Sequence, residues 1–491
     1  MYYPSKKEFV SLSSSGNVIP VYREMLADFD TPISAFIKMD GGQYAYLLES
    51  VEGGENLGRF SFLGSDPHII IESKGDKVTV TKNGSAKTHH IKKDPLDEIK
   101  SIMKSYKFVH LENLPRFCGG LVGYIGYDAV RFIERIPDKN PDEINAPDML
   151  FMFTDTIIIF DHVARRVKVV ANAVVDGDAE EAYDKACLRI DGMVERLKRV
   201  SVIPEVKTVE GSQPEVESNF SEKDFCSIVE SAKEHIKAGD IIQIVLSQRL
   251  KRKTRVDAFS IYRALRSINP SPYMFFLKFR DFRIVGSSPE ILVRYENGQV
   301  EVRPIAGTRR RGEDRTEDEL LERELLSDPK ERAEHIMLLD LGRNDVGRVC
   351  EYGSVRPREV MRIERYSHVM HIVSDVVGSL RKDKDVYDLI RATFPAGTVS
   401  GAPKVKAMEL IDKFENVHRG PYAGSVGYIS FSGNMDMCIT IRTMIVKNDT
   451  VYLQSGAGIV LDSDPVTEYK ETLNKAKAMV KAIEFAERGL Q

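Results

Sequence analysis

At 491 residues the chain is too long for one ordinary core, so two domains are expected. A composition of 42% hydrophobic and 29% charged residues is that of a water-soluble globular protein. With 70 basic against 74 acidic side chains the net charge is −4, too small to recruit nucleic acid, so an anionic ligand must be held by local positive groups.

The segment from Met1 to Lys7 has no apolar stretch of the secretory kind. Thr154 and Asp155 interrupt the run from Met149 to Phe160 before it could span a bilayer. Five scattered cysteines show no metal-ligand spacing. A cytoplasmic protein with reduced thiols and no membrane contact is expected.

The first 200 residues read mostly as strands closed by a helix. Tyr44 to Glu49 and Arg59 to Gly64 cluster apolar residues as strands do. Val78 to Thr81 runs into Lys82-Asn83-Gly84, and Asn-Gly between two strands predicts a tight hairpin. Ile157 to Phe160 and Val167 to Val170 flank a further turn, and Asp178 to Val200 carries apolar residues at helical spacing. Residues 201–218, with Pro204, Gly211 and Pro214 among polar side chains, predict a linker between an N-terminal domain (1–200) and a C-terminal one (219–491). Ser221 then opens a helix, and strands alternate with helices to the end. Gly120-Leu121-Val122-Gly123-Tyr124-Ile125 is echoed by Gly424-Ser425-Val426-Gly427-Tyr428-Ile429, two glycine-bearing strands that another backbone should approach closely.

Two helix starts resemble each other. Asp328-Pro329 is followed by Glu331 and Glu334, and Asp464-Pro465 by Glu468 and Glu471. Asp is a good N-cap and Pro suits the first helical position, and glutamates three apart share a helical face. Four carboxylates on two such faces can hold a hard divalent cation. Each pair taken singly also has an ordinary structural use, Glu331 in a capping box and Glu471 in a pair with Lys475.

A second group of features suits a small dianion. Gln454-Ser455-Gly456-Ala457-Gly458 follows a strand, where glycines bare backbone N–H groups. Thr393 to Thr398 precedes Ser400-Gly401-Ala402-Pro403 and a helix, a further anion-facing N-terminus. Arg442 ends the apolar run Met437 to Ile441, where a buried guanidinium needs an anion, although strand alternation can equally put it on a wet face.

Read together, Pro304-Ile305-Ala306-Gly307-Thr308, the Glu331/Glu334 helix, Tyr366 to His371, Gly397 to Pro403, Gly420-Pro421-Tyr422-Ala423-Gly424 and the Glu468/Glu471 helix resemble the chorismate-utilising enzymes, in their anthranilate synthase large-subunit branch. The resemblance implies an α+β fold of two interlocked antiparallel-sheet layers, sandwich-like with helices outside; periodicity alone supports only a mixture of α and β. It implies Mg²⁺ bridging the ring carboxylate of chorismate to Glu334 and Glu471 directly and to Glu331 and Glu468 through water. Gly456 and Gly458 would bind that carboxylate through backbone amides, with Ala457, Gly307 and Thr308 also against the substrate. Arg442, Tyr422 and Lys475 would hold the enolpyruvyl carboxylate.

The implied reaction adds ammonia at C2, expels the C4 hydroxyl and eliminates pyruvate to give anthranilate. Hydroxide leaves poorly and needs an acid. Glu290, in Ser287-Ser288-Pro289-Glu290, matches the family's acid, though by itself it reads as a turn residue. His371 and Thr398 match positions near the leaving oxygen; His368 does not and is read as structural. Gln243 stands where water-using relatives carry a lysine base, and can position ammonia. Ala306 stands where aminodeoxychorismate synthases commonly carry a nucleophilic lysine. That enzyme, and a catalytically silent tryptophan sensor of the same fold, are the competing readings.

Glu49 and Ser50, with Pro272, Tyr273 and Met274, resemble the tryptophan pocket of feedback-inhibited members. A serine hydroxyl and strand backbone can hold the amino acid's charged end while Pro272, Tyr273 and Met274 pack on indole. The chain has no glutaminase nucleophile motif, so the family implies a separate glutamine amidotransferase subunit supplying ammonia.

Overall fold

A computed structural model describes residues 1–51, 58–91, 93–200, 208, 215–366 and 369–491. Two sheets of twelve strands each form its frame. The predicted local signals account for many elements. Asn83 and Gly84 both take positive φ, 49° and 81°, which turns Lys77–Lys82 into Ser85–His90 as a two-residue hairpin requires. Asp178 caps the Ala179–Leu197 helix by accepting from Glu180 N–H, and Ser221 caps Glu222–Lys237 by accepting from Asp224 N–H.

The sheets stack face to face with helices outside both. Alternation along Thr156–Asp161 makes this concrete: Ile157 and Ile159 join Tyr46, Phe275 and Tyr428 between the sheets, while Ile158 and Phe160 pack outward with Ile190, Tyr262 and Ile483 of the covering helices. Both faces are buried, so such strands read as continuous apolar runs.

Each sheet draws strands from both sides of residues 201–218. In the first sheet Ala45–Glu49 pairs with Tyr273–Lys278, and in the second Gly120–Ile125 pairs with Ser425–Ser430. The stretches 1–200 and 219–491, expected as two domains, are thus interleaved as sheets. Within the expected linker 201–218, Glu217–Ser218 pairs with Leu250 and Lys251, and 201–207 and 209–214 lie outside the described residues. The two echoing glycine segments turn out to be neighbours, with Gly123 opposite Gly427. A Cβ on Gly123 would meet the Leu150 carbonyl and one on Gly427 the Asp436 carbonyl, so side chains are excluded by the adjoining strands.

Candidate active site

Two of the points at which the chain crosses between the sheets adjoin, and each carries a charged side chain. Arg283–Ser288 lies in the first sheet and Ile291–Glu296 in the second, with Glu290 in the step between them. Met435–Ile439 lies in the second and Thr443–Lys447 in the first, with Arg442 in that step. The steps are stitched together: Ile439 N–H donates to the Glu290 carbonyl (2.9 Å), Ser287 N–H to the Arg442 carbonyl (3.2 Å) and Ser288 Oγ to the Ile439 carbonyl (2.6 Å). Arg442 is therefore not a strand residue, as the apolar run before it suggested. It takes φ 49°, a left-handed conformation that costs a non-glycine residue about 1–2 kcal/mol.

Glu290 is 7% exposed and accepts a hydrogen bond from Thr398 Oγ1 at 2.9 Å. Burial pushes its pKa up to about 8, against the Thr398 hydrogen bond and the charges of Arg442 and Lys475. A carboxyl in this place is protonated at neutral pH. Among the described residues no carboxylate comes within ion-pair distance of Arg442, whose pKa burial pulls down.

Ile305–Arg310 brings Gly307 and Thr308 to His371 on Val369–Ser379. The register slips between Ala306 and Thr308, and Gly307 forms the bulge at φ 70°. That turns the Gly307 carbonyl to 3.2 Å from His371 Nδ1, with Thr308 Oγ1 at 2.9 Å. A carbonyl only accepts, so Nδ1 bears the proton and Nε2 keeps its lone pair. Burial and the Arg442 charge lower the His371 pKa to about 4, so the ring is neutral. His368, read as structural, lies outside the described residues.

Gly456, Ala457 and Gly458 belong to the strand Thr450–Ile459 rather than following one. Opposite them, Val245 N–H donates to the Ser400 carbonyl (2.9 Å) and Ser247 N–H to Glu415 Oε1 (2.8 Å), both away from this strand. Their partners Gly458 and Gly456 accordingly turn their own N–H groups to the other edge. On that edge the pairing with Thr443–Lys447 stops at Met444 and Leu453, so these amides face the site. Lys475 Nζ donates to the Gly456 carbonyl at 3.0 Å. A Cβ on Gly456 would sit 2.9 Å from the Tyr422 hydroxyl, and one on Gly458 2.5 Å from Gln243 Nε2. The bare glycines are what admit these two side chains.

The helices Pro329–Gly347 and Pro465–Glu487 start from Asp caps as expected: Asp328 accepts from Lys330 N–H at 3.0 Å, and Asp464 from Thr467 N–H at 2.9 Å. The Glu331 carboxylate does not fold back as in a capping box but meets Arg309 at 2.9 Å. Glu334 accepts from Gln243 Nε2 at 3.2 Å, and Glu471 pairs with Lys475 at 2.7 Å. The two helix starts face each other, since Lys330 and Lys475 each act on both Glu334 and Glu468. Burial raises the pKa of Glu334 and of Glu468, and Glu331 and Glu471 add like-charge repulsion. Among the described residues no three His, Cys, Asp or Glu side chains converge tightly enough to hold a metal ion. The donor chemistry nonetheless fits a hard dication, which relieves repulsion among partly buried carboxylates.

The family model for chorismate binding enzyme matches residues 43–481. The chain belongs to that family. Anthranilate synthase component 1 of Acetivibrio thermocellus is 50% identical to it over 496 residues, covering 99% of each chain. The protein of the same name from Aquifex aeolicus (strain VF5) is 51% identical over 485 residues, covering 98% of each. The crystal structure of anthranilate synthase component I from Streptococcus pneumoniae TIGR4 matches at TM-score 0.77 and 38% identity, over 93% of this chain and 98% of that one. MenF, the menaquinone-specific isochorismate synthase from Escherichia coli, shares the fold at TM-score 0.70 and 18% identity. The expected enzyme class, a chorismate-utilising lyase, and the expected α+β two-sheet fold both agree with these relatives. Among the described residues no helix is long and apolar enough to cross a membrane.

A second cavity of about 290 Å³ opens between the sheets, and Glu49, Ser50, Pro272, Tyr273 and Met274 all line it. Ser50 Oγ is buried there with no hydrogen-bond partner among the described residues. The Glu49 carboxylate is turned onto Tyr262 (2.6 Å) and Arg266 (3.1 Å). Sequence reasoning missed the polar wall opposite. Asp436 accepts from Tyr273 Oη (2.9 Å), Arg294 (3.0 Å) and Arg116 (3.2 Å). Its one signal was a lone carboxylate inside the apolar strand Met435–Ile439.

Proposed function

We propose that this chain converts chorismate and ammonia to anthranilate and pyruvate, as a large subunit fed with ammonia by a separate glutamine amidotransferase. The observation that carries this reading is Glu290, a buried carboxyl whose pKa is pushed up to about 8, beside an Arg442 that among the described residues has no carboxylate within ion-pair distance. Arg442 and Lys475 supply positive charge for the enolpyruvyl carboxylate, while the inward N–H groups of Gly456 and Gly458 suit the ring carboxylate. Glu290 would then protonate the C4 oxygen, which departs as water. Neutral His371, fixed by Gly307, offers a hydrogen-bond acceptor near the ring rather than another charge.

Gln243 supports ammonia as the nucleophile. Its amide cannot act as a base on water, and its Oε1 is buried without a partner among the described residues, an acceptor for an N–H. Ala306 offers no side-chain nucleophile, which disfavours a covalent route at that position. Glu334 and Glu471, aided by Glu331 and Glu468, would hold Mg²⁺, which when bound offsets the charge of the ring carboxylate.

Tryptophan is the ligand proposed for the inter-sheet cavity, with Ser50 toward its charged end and Met274 and Tyr273 along the indole. Tyr273 pairs with Ser288, whose hydroxyl bonds the Ile439 carbonyl, and Ile439 N–H bonds the Glu290 carbonyl. This contiguous chain supports feedback on the acid.

The test is incubation of the purified chain with chorismate, ammonium and Mg²⁺. Anthranilate fluorescence and an equal amount of pyruvate, both lost on adding a chelator, are expected. Aminodeoxychorismate without pyruvate, or no turnover, would overturn the reading.

A further inference from the structure

A pocket of about 40 Å³, room for about one to three waters, shares Glu290 and Thr398 with the site but is lined by none of Arg442, Lys475, His371, Gly456 or Gly458. Its far wall comes from the Pro329–Gly347 helix and includes Leu338, Gly342 and Asp345. Asp345 is 8% exposed and accepts from Lys404 Nζ at 2.6 Å, and Lys404 also donates to the Thr393 carbonyl at 3.0 Å. This buried ion pair has no part in the chemistry derived above, yet Asp345 and Glu290 line the same small pocket.

If Glu290 is the acid of the reaction proposed above, on which this inference rests, every turnover leaves it as a carboxylate. Its proton has gone to the departing oxygen, the proton shed by the added ammonia passes to solvent, and burial disfavours the charge left on Glu290. One proton must return before the next turnover. We propose that this proton returns through the small pocket, from the Lys404–Asp345 pair by way of intervening water to Glu290, with the pair reloaded from solvent. In the step an O–H bond forms on Glu290 as one breaks on the water. That water takes a proton from Asp345, and Lys404 supplies Asp345; no oxidant or second substrate is needed. Two features fit a pair that passes a proton on. Burial raises the pKa of Asp345, opposed by Lys404 and Arg348, and burial lowers that of Lys404, opposed by Asp345. On the receiving side, burial raises the pKa of Glu290, opposed by the Thr398 hydrogen bond and by the charges of Arg442 and Lys475.

The route predicts that chemistry and reloading separate in time. With chorismate, ammonium and Mg²⁺, Asp345→Asn should complete its first turnover at the wild-type rate, since Glu290 begins protonated. Later turnovers should slow by about tenfold or more, with a larger solvent deuterium effect, unchanged KM for chorismate and partial rescue by added imidazole buffer. Gly342→Ala places a methyl in the pocket, 3.3 Å from Val302 Cγ2, and should slow steady state alone in the same way without touching either titrating group. A first turnover slowed as much as the later ones would assign the pair to holding the helix in place and overturn the route. Unchanged steady-state rates in both variants would overturn it too. Failure of the unmodified chain to form anthranilate would instead sink the reading of the reaction itself, and the route with it.

Discussion

Glu290→Gln keeps the shape of the side chain and an oxygen for Thr398 while removing the titrating proton. With a pKa of about 8, Glu290 is protonated in about nine chains of ten at pH 7 and about one of ten at pH 9. At a fixed concentration of free ammonia, kcat/KM for chorismate should therefore fall tenfold per unit above about pH 8. The substitution should cost about 10²–10⁴ in rate and abolish this alkaline limb, leaving a flat residual activity. A thermodynamic signature accompanies it. Because the folded pKa lies above the ordinary 4.5, the folded chain holds a proton that the unfolded chain releases, so stability falls as pH rises from about 4.5 to about 8. Glu290→Gln removes that loss and should melt higher than the wild type at pH 8, by a few kcal/mol of stability. The assay is initial anthranilate fluorescence from pH 6.5 to 9.5 beside thermal melts in the same buffers. A limb near 8 that survives in the variant would assign it to another group and refute the argument.

Three further outcomes follow from other parts of the molecule. Glu334→Gln should weaken Mg²⁺ by about tenfold or more in calorimetric titration and lower activity accordingly; unchanged affinity would remove Glu334 from the metal site. The chain contains no tryptophan, so the emission of added L-tryptophan reports the ligand alone. Its anisotropy should rise on binding the wild type and stay low with Ser50→Arg, and equal binding by both would exclude the inter-sheet cavity. Gly307→Ala should lose about 1–2 kcal/mol for a side chain at φ 70°, more with its Cβ 3.1 Å from Glu331 Oε2. It should lower kcat more than raise KM as His371 loses its orienting carbonyl, whereas wild-type kcat would show that the bulge does not orient the ring.

How much of this was legible in the amino-acid order depends on whether the signal is local. Asn83-Gly84, the Asp caps and the Glu-x-x-Glu pairs act within one turn of chain, and the elements they imply form. The run Met437 to Arg442 misled because apolar residues continue on both sides of the buried Thr440 while the chain leaves one buried sheet for another, so no clear change of pattern marks Arg442 as lying outside a strand. Gly456 and Gly458 read as lying beyond the end of a strand for a similar reason, since glycine's usual role hides its use inside a strand that must admit Tyr422 and Gln243. Asp436 and its arginine partners come from segments far apart in the chain, Arg116, Arg294 and Met435–Ile439, and periodicity carries no information on who pairs with whom.

The interleaving of the sheets has a consequence for how the chain is made. Gly120–Ile125 and Ala45–Glu49 are apolar strands whose partners, Ser425–Ser430 and Tyr273–Lys278, lie far downstream. At about 5–20 residues per second, the first of these edges waits for roughly 300 further residues, on the order of 15–60 s, before its partner emerges. Throughout that interval the nascent half offers unpaired, apolar strand edges, the kind of surface that seeds edge-to-edge association. A fragment ending near residue 218 would be fixed in that state, and slow synthesis or scarce chaperone capacity should reduce the yield of this protein before any change in its finished stability is felt.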